Sequence, residues 1–203
     1  MIVLSSPVNP ISQQNFLKIA CFFEGGLIGI AFLIAWAVDI NPIAHLSFSG
    51  HAIFWGILGT IPLYLLFLLF YNYPLGPFYP IKRSLIDILG PMLAYAGPQQ
   101  LLLLAILAGV SEELLFRGVL QPWLQIKWGM ALGLVFSNLI FGFLHWVTPM
   151  YALIAGIVGV YLGLMLDAGG ERNLLTPIVI HSVYDYLAFL VVARSYLEEQ
   201  ETE

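Results

Sequence analysis

Charge is scarce in this chain: only 9% of its residues are Asp, Glu, Lys or Arg, while 60% are hydrophobic. That is too little charge to solvate a globular domain, and no cluster of Lys and Arg is present to bind nucleic acid. Cysteine is nearly absent as well. The lone Cys21 cannot form an internal disulfide, so the redox compartment is not constrained. No polar stretch is long enough to make a separate soluble recognition domain. What remains, at a mean hydropathy of +0.91, is a polytopic protein of the lipid bilayer. Its 203 residues read as a single integral membrane domain of all-α class. The expected form is a transmembrane helix bundle of about six to eight membrane helices.

Much of the formal charge of −5 comes from Glu198, Glu199, Glu201 and Glu203. Residues 193–203 therefore read as an acidic, solvated tail. Residues 1–15, with Pro7, Asn9 and Pro10, read as a loose start. Lys18 and the apolar run after it resemble a secretory signal, but the run is long enough to span a bilayer and is taken as a retained helix. Apolar spans are expected at 16–38, 52–71, 99–120, 128–147, 150–166 and 174–192. The segment 84–96 carries Asp87, Gly90 and Pro91 and is short for a span; it reads as interfacial, re-entrant or kinked. The pairs Gly25/Gly29, Gly129/Gly133 and Gly159/Gly163 have the small-xxx-small spacing of close helix packing.

Lys and Arg gather on the cytoplasmic side of membrane proteins. If 84–96 crosses, Lys18, Lys82, Arg83, Lys127 and Arg172 share one side, with Arg194 alone opposite. If it does not, Lys127 and Arg172 change sides. The first arrangement separates charge better, and places the N-terminus in the cytoplasm.

Against this apolar background Glu112, Glu113 and Arg117 stand out. A charge at bilayer depth costs about 2.5 to 3.5 kcal/mol on insertion scales. Three together call for a function. Glu113 and Arg117 are four apart in the better-oriented order for a helical ion pair. Glu112 points about 100° away and is left unpaired on its own helix. Glu24 lies inside the first span and is read as snorkelling, pairing with another helix or lining the same cavity as Glu112.

Few other polar groups lie at similar depth. Asn138, Phe141 and His145 fall on one stripe of a later helix, and His181 and Asp185 lie four apart on the last. Pro177 disturbs the helix near His181 if it is interior, and costs nothing if it falls in the first turn.

Glu112-Glu113-x-x-x-Arg117, then Phe141-x-x-x-His145, then His181-x-x-x-Asp185, in that order, resemble the CPBP intramembrane proteases. That family includes the type II CAAX prenyl endopeptidases and the bacteriocin-processing, or Abi, proteins. The resemblance covers a motif-bearing core at 99–192. It implies peptide-bond hydrolysis in a helical membrane fold, with Glu112 and His145 activating water. His181 and Asp185 would support the oxyanion, and Glu113, Arg117, Phe141 and Asn138 would be supporting residues.

The family carries Asn or Asp at the last position. Asp185, if ionised, repels an oxyanion, so orienting His181 is its favoured role. Amide hydrolysis needs a base, donors where negative charge develops, and a proton for the leaving amine. Carboxylates withdrawn from water are stronger bases, which suits Glu112.

Two mechanisms stay open. One is metal-free glutamate chemistry; the other binds zinc through Glu112, His145 and His181, with no His-Glu-x-x-His motif to support it. The expected partners are the bilayer and a protein or peptide substrate, lipidated or not, and no nucleic acid. The contrasting reading is a non-catalytic immunity or scaffold protein of the membrane that keeps the polar cluster for packing.

Overall fold

The computed structural model describes residues 10–202, and their side chains from residue 15. It is all-helical, with no strand among the described residues. Seven rods follow one another: α1 (Pro10–Val38), α2 (Gly50–Asn72), α3 (78–93), α4 (98–128), α5 (Met130–Leu144), α6 (Pro149–Met165) and α7 (Leu175–Thr202). Three helical stretches are long and apolar enough to cross a membrane: Asn15–Val38, Gly50–Asn72 and Leu175–Thr202. The apolar α5 and α6 are shorter. At 1.5 Å per residue they are about 22 to 26 Å long, less than the ~30 Å of a hydrocarbon core.

Local chemistry sets the helix boundaries. Ser49 accepts from the Ala52 N–H at 3.1 Å, and Thr148 from the Tyr151 N–H at 3.0 Å, so each caps the helix that follows. Gly129, at φ +85°, makes the turn between α4 and α5 that a side chain would strain. Pro177 falls in the first turn of α7, where its missing N–H breaks no helical bond.

Both composite rods contain a π turn two residues before a proline. In α3 the turn is Leu85–Leu89 with Pro91 beyond it; in α4 it is Phe116–Leu120 with Pro122 beyond. A proline cannot donate to the carbonyl four residues back and its ring crowds it. The preceding N–H groups reach five residues back: Gln121 to Phe116 O, and Gly90 to Leu85 O as well as to Ile86 O. The wider turn of α4 follows immediately on the Glu112-Glu113 pair.

The segment 84–96 does not carry the chain across. Leu93 and Leu101, on either side of the α3–α4 break, both pack in one cluster with Tyr71, Val192 and Ala193. Arg83 bonds Glu199 at 2.9 Å, so α3 lies at the C-terminal end of α7. At the opposite end of the bundle Leu174 N–H donates to His45 O at 2.8 Å, and Arg172 reaches Gln125 at 3.3 Å. Lys127 and Arg172 therefore sit opposite Arg83, contrary to the favoured charge arrangement. α3 is a kinked rod too short to span, held against one end of α7.

Other expectations also shift. Helix continues through the acidic tail to Thr202, because the Arg83 contact anchors Glu199. The loose start is helical from Pro10; residues 1–9 lie outside the described residues. Gly159 and Gly163 do approach α5 and α4 side chains closely, whereas nothing lies within 4 Å of where a Cβ at Gly25 or Gly29 would stand.

Candidate active site

The centre of the bundle is an ion pair shut away from solvent. The side chains of Glu113 and Arg117 are both 0% exposed, with Nη1 donating to Glu113 Oε1 at 2.9 Å. Arg117 Nη2 donates to Asn138 Oδ1 at 2.9 Å and to the Gly159 carbonyl at 2.7 Å. Its guanidinium also lies over the Phe141 ring, 4.8 Å from the centroid. The fork of arginine thus ties α4 to α5 and α6, which a single ammonium could not do. Asn138 and Phe141, a sequence stripe, are here the two α5 faces of one cation site.

Glu113 has a second partner. His181 Nδ1 lies 2.8 Å from the same Oε1, so one carboxylate oxygen joins α4 to α7. Because that carboxylate is already the acceptor of Arg117, the imidazole must donate from Nδ1, and its Nε2 faces the other way. Sequence spacing gave the orienting task to Asp185. The structure puts Asp185 Oδ2 3.6 Å from His181 Nε2, beyond a hydrogen bond, and the bond that fixes the ring comes from Glu113.

His145 follows the last residue of α5 and stacks on Phe141, with centroids 4.3 Å apart. Its Nδ1 lies 2.8 Å from the Phe141 carbonyl, which can only accept, so this ring too donates from Nδ1 and turns Nε2 outward. Both Nε2 atoms converge on Glu112: Oε2 is 3.5 Å from His145 and 3.9 Å from His181. Glu112 Oε2 is buried and has no hydrogen-bond partner among the described residues. A buried acceptor of this kind needs an explanation, and a reacting water is one.

Beside these groups opens a cavity of about 90 Å³. His145, His181 and Asp185 form part of its wall with Tyr151 and Tyr184, and the rest is apolar, from Phe141 and Leu63 to Leu162. Glu24 pairs with another helix: its carboxylate accepts from Ser111 Oγ at 2.5 Å, next to Glu112 in sequence. Neither the two tyrosines nor the second bond of Glu113 stands out in the sequence. The signal for Tyr151 was present, three residues after a Thr-Pro helix start.

Among the described residues no three His, Cys, Asp or Glu side chains are grouped to hold a metal ion.

With the geometry in hand, comparison with known families is informative. Residues 94–187 match the family described as type II CAAX prenyl endopeptidase Rce1-like. The matched segment is similar to that family, in keeping with the resemblance of its motifs to the CPBP proteases. It contains every site residue from Glu112 to Asp185, and the match supports a peptidase, hence a hydrolase, in an integral membrane protein. No curated protein and no solved structure matches the chain.

Proposed function

We propose that this protein is an intramembrane endopeptidase that hydrolyses a peptide bond of a membrane-associated protein or peptide without a metal. The observation that carries the reading is the convergence of the two histidine Nε2 atoms on the unpartnered Oε2 of Glu112, at 3.5 and 3.9 Å. Glu112 and His145 Nε2 are both acceptors in this arrangement. A water between them can give a hydrogen to each while its lone pair faces a substrate carbonyl.

The reaction then balances in two steps. Water oxygen bonds the carbonyl carbon, the C=O π pair moves to oxygen, and the water proton passes to Glu112. As the C–N bond breaks, that proton goes to the departing nitrogen, leaving an amine and a carboxylic acid, whose remaining proton passes by way of Glu112 to solvent. His181, held between the carboxylates of Glu113 and Asp185 as an imidazolium with a proton on each nitrogen, donates from Nε2 and stabilises the oxyanion. Glu113, Arg117, Asn138 and Phe141 hold His181 and His145 in place. The N-terminus lies on the cytoplasmic side in this reading, because Lys18, Lys82 and Arg83 belong to one end of the bundle.

A non-catalytic immunity or scaffold protein has no use for two histidines turned toward a carboxylate oxygen that neither of them bonds. The experiment is a comparison of protein termini and membrane-associated fragments from cells carrying the wild-type chain and cells carrying Glu112→Gln. Termini present only with the wild type are expected; identical sets would overturn the enzyme reading.

A further inference from the structure

We propose that the Tyr151 hydroxyl is a second donor to the oxyanion, acting beside His181; the assignment rests on the peptidase reading above. Oxyanion donors are scarce in this site. Negative charge developing on a carbonyl oxygen is stabilised by fixed donors aimed at it. In this site the donors are mostly committed elsewhere. His145 gives Nδ1–H to Phe141 and His181 gives Nδ1–H to Glu113. Glu112 and Asp185 are acceptors when ionised. His181 Nε2 is then a lone donor.

Two neutral hydroxyls share the cavity with these groups, those of Tyr151 and Tyr184. A phenol is a donor across the whole working pH range. The backbone N–H of Tyr151 is used by the Thr148 cap at 3.0 Å, which fixes the first turn of α6 directly after the His145 turn. No protein group among the described residues takes its hydroxyl. The O–H is therefore positioned by a capped helix and not consumed by a structural bond.

Position separates the two tyrosines. Tyr151 stands in the first turn of α6, six residues after His145, whose Nε2 faces Glu112. Tyr184 packs edge-on against Phe67 of α2 with centroids 6.0 Å apart. Tyr151 is therefore the phenol carried by the element that follows directly on the base's histidine partner. A third tyrosine supplies a structural contrast: Tyr161, also on α6, donates to the Gly59 carbonyl at 2.8 Å and helps hold α6 to α2.

The test uses the purified full chain in detergent and an internally quenched peptide spanning a bond whose cleavage in cells requires the wild-type chain. Tyr151→Phe is expected to lower kcat by about 10²- to 10³-fold, the usual cost of one oxyanion donor, with KM and the melting temperature unchanged. Tyr161→Phe is expected to lower the melting temperature and leave kcat alone. If Tyr151→Phe turns over like wild type while Glu112→Gln is dead, the donor assignment is overturned and the peptidase reading stands. The assignment also falls if Tyr151→Phe changes KM alone, or if Tyr184→Phe carries the kcat loss instead. If no such bond is found, or Glu112→Gln matches wild type, the peptidase reading itself falls and takes this inference with it.

Discussion

Glu113 Oε1 accepts from Arg117 Nη1 at 2.9 Å and from His181 Nδ1 at 2.8 Å, so the supporting ion pair and the proposed catalytic histidine share one oxygen atom. Stability and catalysis are coupled at that atom. Arg117→Ala leaves Glu113 as a buried, uncompensated charge and is expected to cost about 3 to 5 kcal/mol. Arg117→Lys should rescue little of it, since one ammonium cannot serve Glu113, Asn138 and the Gly159 carbonyl together. Unfolding in detergent checks both; an Arg117→Ala protein that melts like wild type would refute the arrangement.

Glu112 is the opposite case. Its Oε2 has no partner to lose, so Glu112→Gln should fold normally and bind substrate while losing turnover by about 10²- to 10⁴-fold, the range for a general base. The pairing of an unchanged melt with a lost rate is the outcome to look for.

Asp185 separates what spacing suggests from what geometry provides. Four-residue spacing on a helix favoured it as the group that orients His181, but the orienting bond comes from Glu113. Asp185→Asn is therefore expected to reduce turnover less than Glu113→Gln does. Equal losses in the two variants, measured side by side on one substrate, would return the orienting role to Asp185.

Chelators distinguish the two mechanisms left open by the residue types. With no three ligand side chains grouped to hold a metal among the described residues, turnover should survive o-phenanthroline and EDTA, and the purified protein should carry substoichiometric zinc. Loss of activity that zinc alone restores would require the metal route.

The sequence reveals this architecture where apolar background makes polarity conspicuous. Glu112, His145, His181 and Asp185 are each isolated at bilayer depth, and isolation makes them visible. Partnership is harder to read. Glu113 looks complete once Arg117 is found four residues on, and nothing local shows that a histidine from α7 shares its oxygen. Charge counting failed for a related reason: whether 84–96 crosses depends on Arg83 meeting Glu199, a contact between residues 116 positions apart. The π turn beside the site stands two residues before Pro122, but Pro62 lies inside α2 without such a turn, so a proline in a helical run does not by itself mark one. Glycine spacing predicted close packing at Gly159/Gly163 and also at Gly25/Gly29, yet only neighbours in space can decide between them.

That last difference gives a test of how tightly the Arg117 site is enclosed. A Cβ added at Gly159 would press on the Asn138 side-chain oxygen and come within 3.1 Å of Arg117 Nη2, whereas one at Gly25 would meet nothing within 4 Å. Neither Asn138 nor Arg117 can yield cheaply, because each is bonded to the other and Arg117 is tied to Glu113 as well. Overpacking of this kind typically costs about 1 to 3 kcal/mol. Gly159→Ala should therefore lower the unfolding midpoint, and it should also slow turnover, because displacing Arg117 moves Glu113 and with it the His181 ring. Gly25→Ala should be neutral or slightly stabilising, as alanine is a better helix former than glycine. The decisive measurement is unfolding and turnover of both variants in the same detergent. A Gly159→Ala protein as stable and as fast as Gly25→Ala would mean that α6 can retreat from Arg117, and that the carbonyl contact at 2.7 Å does not hold the site in register.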